Sequence, residues 1–220
     1  MLSVKFKAFF FVVMTGFGAQ SFALEIDKFS HTVYAGQKSY TINIKNDKSL
    51  KPVAYKATVF SRSYTEDGEE VLKETNLVRI FPKTVVIGYN KTKGVRINVE
   101  KVVPEPVEKS FRIYFKELKE RNKDKSGVEF ETDYSPVFYV KDKKEDEGSL
   151  LYQRVVKDGK VFLKITNNTN SHIYFNPSKD FAFRNILAKS SVFIPNDQDL
   201  KKISAFVCYG CDEVKTYDIK

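Results

Sequence analysis

The chain has 220 residues, with 37 Lys and Arg against 28 Asp and Glu and a formal net charge of +9. The basic residues are interspersed with acids rather than gathered into one stripe, which speaks against a nucleic-acid surface and for a solvated exterior. The only histidines are His31 and His172 and there is no second cysteine pair, so neither a metal nor a cofactor is expected.

Residues 1–23 place Lys5 and Lys7 ahead of an apolar run from Ala8 to Val13 and end in Ser21, Phe22 and Ala23. Small residues at the −3 and −1 positions before Leu24 mark a secretory signal cleaved after Ala23. The apolar run is short and broken by Thr15, Gly16 and Gly18, unlike a membrane anchor. No later segment approaches the length of a bilayer span, so the mature chain is expected to be exported without membrane insertion. Removing the 23 residues and their two lysines from 220 residues and +9 leaves 197 residues and +7.

From residue 24 onward alternation dominates. Tyr40, Ile42 and Ile44 share one face, as do Val53, Tyr55, Ala57 and Val59, and then Val95, Ile97 and Val99. Turn signals separate these runs: Gly36, Asn46 with Asp47, the corner Glu66, Asp67 and Gly68, and Gly88 with Asn90. Many short strands at this spacing predict an all-β sandwich rather than a βαβ sheet. The segments 177–185 and 197–202 are expected to hold a helical turn at most.

Two apolar-rich, strand-like runs, SFRIYFKEL and VEFETDYSPVFYV, flank the charged excursion KERNKDKSG. In the second run Val128, Phe130, Thr132 and Tyr134 lie on one face and Glu129, Glu131 and Asp133 on the other. Three acids are costly to bury, so the first face is the one expected to touch something. Residues 142–149 are polar throughout and end in Gly148 and Ser149, which reads as a linker between domains at 24–141 and 150–220. In the second domain Asp158 and Gly159 between apolar runs predict a hairpin, and residues 167–170 another turn.

Cys208 and Cys211 are the only cysteines. In an exported chain they are expected to form one disulfide, and a staple across a β-hairpin is preferred to a redox dithiol because strand-like runs stand on both sides. No G-x-S-x-G elbow, no paired acids in an obvious cleft order and no phosphate-binding glycine loop occurs, so no enzyme is expected.

The order of motifs resembles the periplasmic pilus and fimbrial assembly chaperones of the PapD-like chaperone–usher family, with features closer to its archaic branch. The residues that carry the resemblance are LEIDKFSHTVYAGQKSYTINIKND, RIFPKTVVIGYNKTKGVRI, SFRIYFKEL, SPVFYV, GKVFLKITNNTNSHIYF and the terminal FVCYGC. It implies two immunoglobulin-like β-sandwich domains in a boomerang, a periplasmic location, and two partners: a pilus subunit lacking one strand and an outer-membrane usher. It also implies donor-strand complementation, in which residues 128–134 complete the subunit's sandwich through Val128, Phe130, Thr132 and Tyr134. An added strand pairs the subunit's free backbone groups and fills its groove with alternate side chains. Residues 119–127 would be the loop leading into that strand.

The resemblance further implies an Arg and a Lys that hold the subunit's terminal carboxylate. His31 stands where the Arg is expected and Pro136 or Ser135 where the Lys is expected; Arg112 on the neighbouring strand is the candidate substitute. A secreted structural or adhesive β-sandwich protein is the alternative reading.

Overall fold

The structure is a computed structural model that describes residues 24–34, 36–47, 51–99, 102, 106–118, 133–141, 148–176, 184–195, 202–206 and 214–218. The expected signal, most of the linker, and Val128, Phe130, Thr132, Cys208 and Cys211 lie outside the described residues.

Among the described residues, eleven strands precede the segment 142–149: β1 (Leu24–Ile26), β2 (Ser30–Tyr34), β3 (Ser39–Asn46), β4 (Val53–Tyr64), β5 (Glu70–Glu74), β6 (Arg79–Phe81), β7 (Thr84–Ile87), β8 (Lys91–Asn98), β9 (Lys109–Leu118), β10 (Asp133–Tyr134) and β11 (Val137–Lys141). They form a four-stranded sheet, β1-β3-β8-β6, and a seven-stranded one, β2-β11-β9-β4-β5 with β10 on β9 and β7 on β4. Seven strands come after it: β12 (Leu150–Lys157), β13 (Lys160–Asn167), β14 (Ile173–Asn176), β15 (Arg184–Ile186), β16 (Ser190–Pro195), β17 (Lys202–Phe206) and β18 (Val214–Asp218). These make the sheets β12-β13-β16 and β15-β14-β17-β18.

Alternation decides what each sheet buries. Ile42, Ile44, Val95 and Ile97 of the first sheet meet Phe111, Ile113, Phe115 and Phe138 of the second, in one core. Tyr40, Val53 and Val59 pack at its margin, so the three faces read from the sequence all turn inward. Leu163, Ile165, Ile173, Ile186, Val192 and Ile194 form a separate core after the linker. The Asp158–Gly159 turn closes a hairpin in which Lys157 faces Lys160. Both turn residues have positive φ, at 52° and 71°, as a tight two-residue hairpin with the twist of its strands requires. The turn after β13 is built on Asn167: its Nδ2 donates to the carbonyls of Ser171 (2.7 Å), Ile186 (3.1 Å) and Leu187 (3.0 Å), while its Oδ1 accepts from Thr169 N. Residues 184 and 185, the end of the segment expected to hold a helical turn at most, belong to strand β15.

Near its N-terminal end the first sandwich has a crossing that leaves a strand edge unpaired among the described residues. The chain begins in one sheet, with β1 on β3, and then passes to the other, where β2 runs parallel to β11. Asp27 and His31 hold the crossing. The Asp27 carboxylate accepts the Asn43 N–H (3.2 Å) and the Lys28 N–H (2.8 Å). His31 turns inward and donates from Nε2 to the Lys28 carbonyl (2.7 Å).

Candidate functional site

β10 and β11 are one extended run interrupted at Ser135 and Pro136: Tyr134 faces Phe115 and Val137 faces Arg112 across the same β9. On the far side β2 covers only the β11 part. Its first register pair is Ser30 with Val137, and the Phe29 carbonyl accepts Val137 N–H at 2.9 Å. Upstream of that point the chain has crossed to the other sheet, so β10 pairs with β9 alone among the described strands. An edge of this kind offers backbone N–H and C=O groups to any extended segment.

Beside the edge lies a charged cluster on the outer face of the same sheet. Phe111, Ile113 and Phe115 point into the core, so Ser110 and Arg112 point out. Arg62 on β4, Glu70 on β5 and Tyr139 on β11 share that outer face. Glu70 Oε1 accepts from Arg62 Nε (2.5 Å) and from Arg112 Nε (3.0 Å) and Nη2 (2.6 Å). Arg112 also donates from Nη1 to the Ser135 carbonyl (2.8 Å) and hydroxyl (3.3 Å), at the junction of β10 and β11. Arg62 continues inward, donating to the Tyr64 hydroxyl and to Tyr139 Oη (3.2 Å). Two guanidinium groups thus share one carboxylate, which leaves the cluster one positive charge in excess.

Burial grades the two arginines. The Arg62 side chain is 4% exposed and that of Arg112 18%, so Arg112 is the member that meets solvent. Burial works against the Arg62 charge, but the phenols of Tyr139 and Tyr64 and the Glu70 carboxylate outweigh it, and its pKa is raised. Burial pushes the Tyr139 and Tyr64 phenols up, so both stay protonated and serve as neutral partners.

Tyr139 is an outer-face residue that is nonetheless fully buried, because the second domain sits on it. The His172 ring stacks on it at 3.7 Å with 9° between planes, and Asn185 Nδ2 donates to its hydroxyl. A cavity of about 450 Å³ opens beside this junction, lined from both domains by residues that include Arg62, Tyr64, Lys109, Leu187 and Lys189.

The predicted site residues separate in space. His31 lies inside the first sandwich: Nε2 is committed to the Lys28 carbonyl, so Nδ1 accepts from the Tyr40 hydroxyl at 2.8 Å. Burial lowers its pKa, which keeps the ring neutral. Arg112 is on the outer face, next to the β10 edge. Tyr134 packs against the core of its own domain, and its hydroxyl accepts the Leu24 N–H at 2.7 Å. Arg62, Glu70 and Tyr139 carry no signal in the sequence that marks them as partners of the site. The Glu66–Gly68 corner could have pointed to the first two, since a hairpin there brings Arg62 and Glu70 onto neighbouring strands.

No known sequence family matches the chain, and no curated protein matches it by sequence. Solved structures do match. A chain of the CsuC–CsuE chaperone–tip adhesion subunit complex, from the archaic chaperone–usher Csu pili of Acinetobacter baumannii, gives a TM-score of 0.72 at 17% identity, over 90% of this chain and 98% of that one. The Escherichia coli chaperone DraB gives 0.65 at 16% identity, over 90% and 98%. A chain of the Salmonella enterica SafA pilin–SafB chaperone complex gives 0.65 at 12% identity, over 90% and 97%. The molecule is all-β and built of two immunoglobulin-like sandwiches. Its fold is that of the PapD-like pilus-assembly chaperones.

Proposed function

We propose that the protein is a periplasmic chaperone that binds pilus or fimbrial subunits by donor-strand complementation and hands them to an outer-membrane usher. The observation that carries this reading is the edge of β10, unpaired among the described strands where the chain crosses to this sheet between β1 and β2, with Arg112 beside it. Residues 128–134 would be the donor strand, with Val128, Phe130 and Thr132 presented to the subunit and Tyr134 rooted in its own domain. Each large side chain buried in the subunit groove would contribute about 1.5–3 kcal/mol. The solved complexes CsuC–CsuE and SafA–SafB, in which a chaperone of this fold is bound to a subunit or pilin, support the same kind of partner here.

Arg112 is the cation proposed to receive the subunit's terminal carboxylate. It is planar, partly open to solvent and part of a cluster with surplus positive charge, which suits a carboxylate. His31, neutral and engaged on both ring nitrogens, takes no part in that contact. Residues 1–23 would be removed on export, Cys208 and Cys211 would close a disulfide in the β17–β18 connection, and the domains would divide at residues 142–149. The test is co-expression with a candidate subunit from the same genome, followed by co-purification. A one-to-one complex is expected, and recovery of the subunit only in aggregates would overturn the reading.

A further inference from the structure

The two domains also touch at the corner that joins β4 to β5. This corner closes on itself: Thr65 N–H donates to the Glu69 carbonyl (2.9 Å), Gly68 N–H to the Thr65 carbonyl (3.0 Å) and Glu69 N–H to Thr65 Oγ1 (3.1 Å). Gly68 has a φ of 81°, which a residue without a side chain adopts freely. The corner is therefore shaped by its own bonds and presents Glu66 and Asp67 as a preformed acidic tip.

The tip meets the outer face of β12-β13-β16. Leu163, Ile165, Val192 and Ile194 point into the core of the second domain, so Lys164 and Phe193, directly opposite each other, point out. Phe193 N–H, on the edge strand β16, donates to the Glu66 carbonyl at 3.1 Å. Lys157 Nζ donates to Asp67 Oδ1 at 2.9 Å, and Lys164 Nζ lies 3.9 Å from Glu66 Oε1. Both ammonium groups also stand over the Phe193 ring, at 5.6 and 5.4 Å from its centroid, within the range of cation–π attraction. One ring thus gathers two like charges, and the tip supplies the two carboxylates that balance them.

We propose that the Glu66–Asp67 corner is a charge-dependent latch that sets the angle of the second domain on the first. The reason is geometric. His172, bonded to Glu108 of the first domain, stands just ahead of β14 in one sheet of the second sandwich, whereas Phe193 lies in the other sheet. A single joint leaves rotation about itself, and a second joint on the other sheet removes that rotation. The two ion pairs are open to solvent, so they add little to the stability of either domain and act on orientation instead. Salt shortens the reach of such charges from about 30 Å at 0.01 M to about 3 Å at 1 M. The latch therefore holds at low ionic strength and releases at high. The cavity of about 450 Å³, lined by Tyr64 ahead of the corner and by Ser190 at the start of β16, would widen on release.

Residual dipolar couplings of the backbone amides, measured on the intact exported protein in a stretched neutral gel, report the orientation of each domain. At about 0.01 M salt one alignment tensor should fit both domains; at about 1 M the common tensor should be lost while each domain keeps its own. Lys157→Glu combined with Lys164→Glu should require separate tensors even at low salt. Lys157→Asp alone should loosen the fit, and adding Asp67→Lys, which rebuilds the pair with its charges exchanged, should restore the common tensor. If the double reversal does not fold, Asp67→Asn, an exposed change, takes its place and should release the latch at lower salt than the unaltered protein does. A common tensor that neither salt nor substitution disturbs overturns the proposal, and so do separate tensors in the unaltered protein at low salt. The couplings are read on the free protein, so the latch stands or falls independently of subunit capture.

Discussion

The Glu108 carboxylate receives the His172 Nδ1–H at 2.7 and 2.9 Å, and the two residues belong to different domains. The same carboxylate accepts the His172 main-chain N–H at 3.0 Å, while Glu108 N–H donates to the Asn170 carbonyl at 2.9 Å. Both side chains are almost wholly buried, and the His172 ring lies flat on Tyr139. One acidic residue ahead of β9 thus joins the second sandwich to the sheet that carries the candidate site.

Glu108→Ala removes the acceptor of two buried donors. Each unsatisfied donor costs about 1–3 kcal/mol. Urea unfolding should show this loss, and the single transition should split as the two domains uncouple. Glu108→Gln, which keeps one acceptor oxygen, should lose less and keep one transition.

Phe130→Asp should abolish the one-to-one complex with a subunit while the free protein unfolds at its ordinary temperature. The charge would have to enter an apolar groove in the partner, which it cannot do cheaply. Co-purification and a thermal melt measured on the same sample decide the matter; retained binding would exclude residues 128–134 as the donor segment.

Arg112→Ala should weaken subunit capture by roughly 10- to 100-fold, the equivalent of a charge-assisted hydrogen bond of about 1.5–3 kcal/mol. Arg112→Lys should recover only part of this, because one ammonium cannot serve Glu70, Ser135 and an incoming carboxylate in a planar fork. Titration by calorimetry at two salt concentrations would test both. Unchanged affinity in Arg112→Ala would remove the residue from the contact.

His31 is buried neutral, with a pKa lowered by desolvation. In the unfolded chain it titrates near 6.5, so below that pH the unfolded state binds the extra proton and the folded state resists it. The stability held above pH 6.5 should fall as pH drops towards the lowered folded value. His31→Gln, which keeps a donor and an acceptor but cannot titrate, should flatten this part of the stability profile in melts between pH 5 and 7.5.

The strands are legible in the sequence because a sandwich core writes itself locally. Ile42 with Ile44 and Val95 with Ile97 alternate with polar neighbours, and all four are fully buried. Asp158 and Gly159 announce their turn for the same local reason: few other pairs accept positive φ twice. The resemblance puts His31 where a carboxylate-binding Arg is expected, but its surroundings depend on Tyr40 and on a Lys28 carbonyl set by the strand crossing. Arg62 and Glu70 become partners of Arg112 through pairings of β4 with both β5 and β9, which no local pattern states.

Periodicity and turn chemistry by themselves settled that this is an all-β protein with two cores, since burial of every second side chain is a property of neighbouring residues. Which edge is left uncovered, which arginine reaches solvent, and how Glu108 meets His172 were decided only in three dimensions. Those features depend on strands far apart in sequence lying side by side, and on where the chain passes from one sheet to the other between β1 and β2.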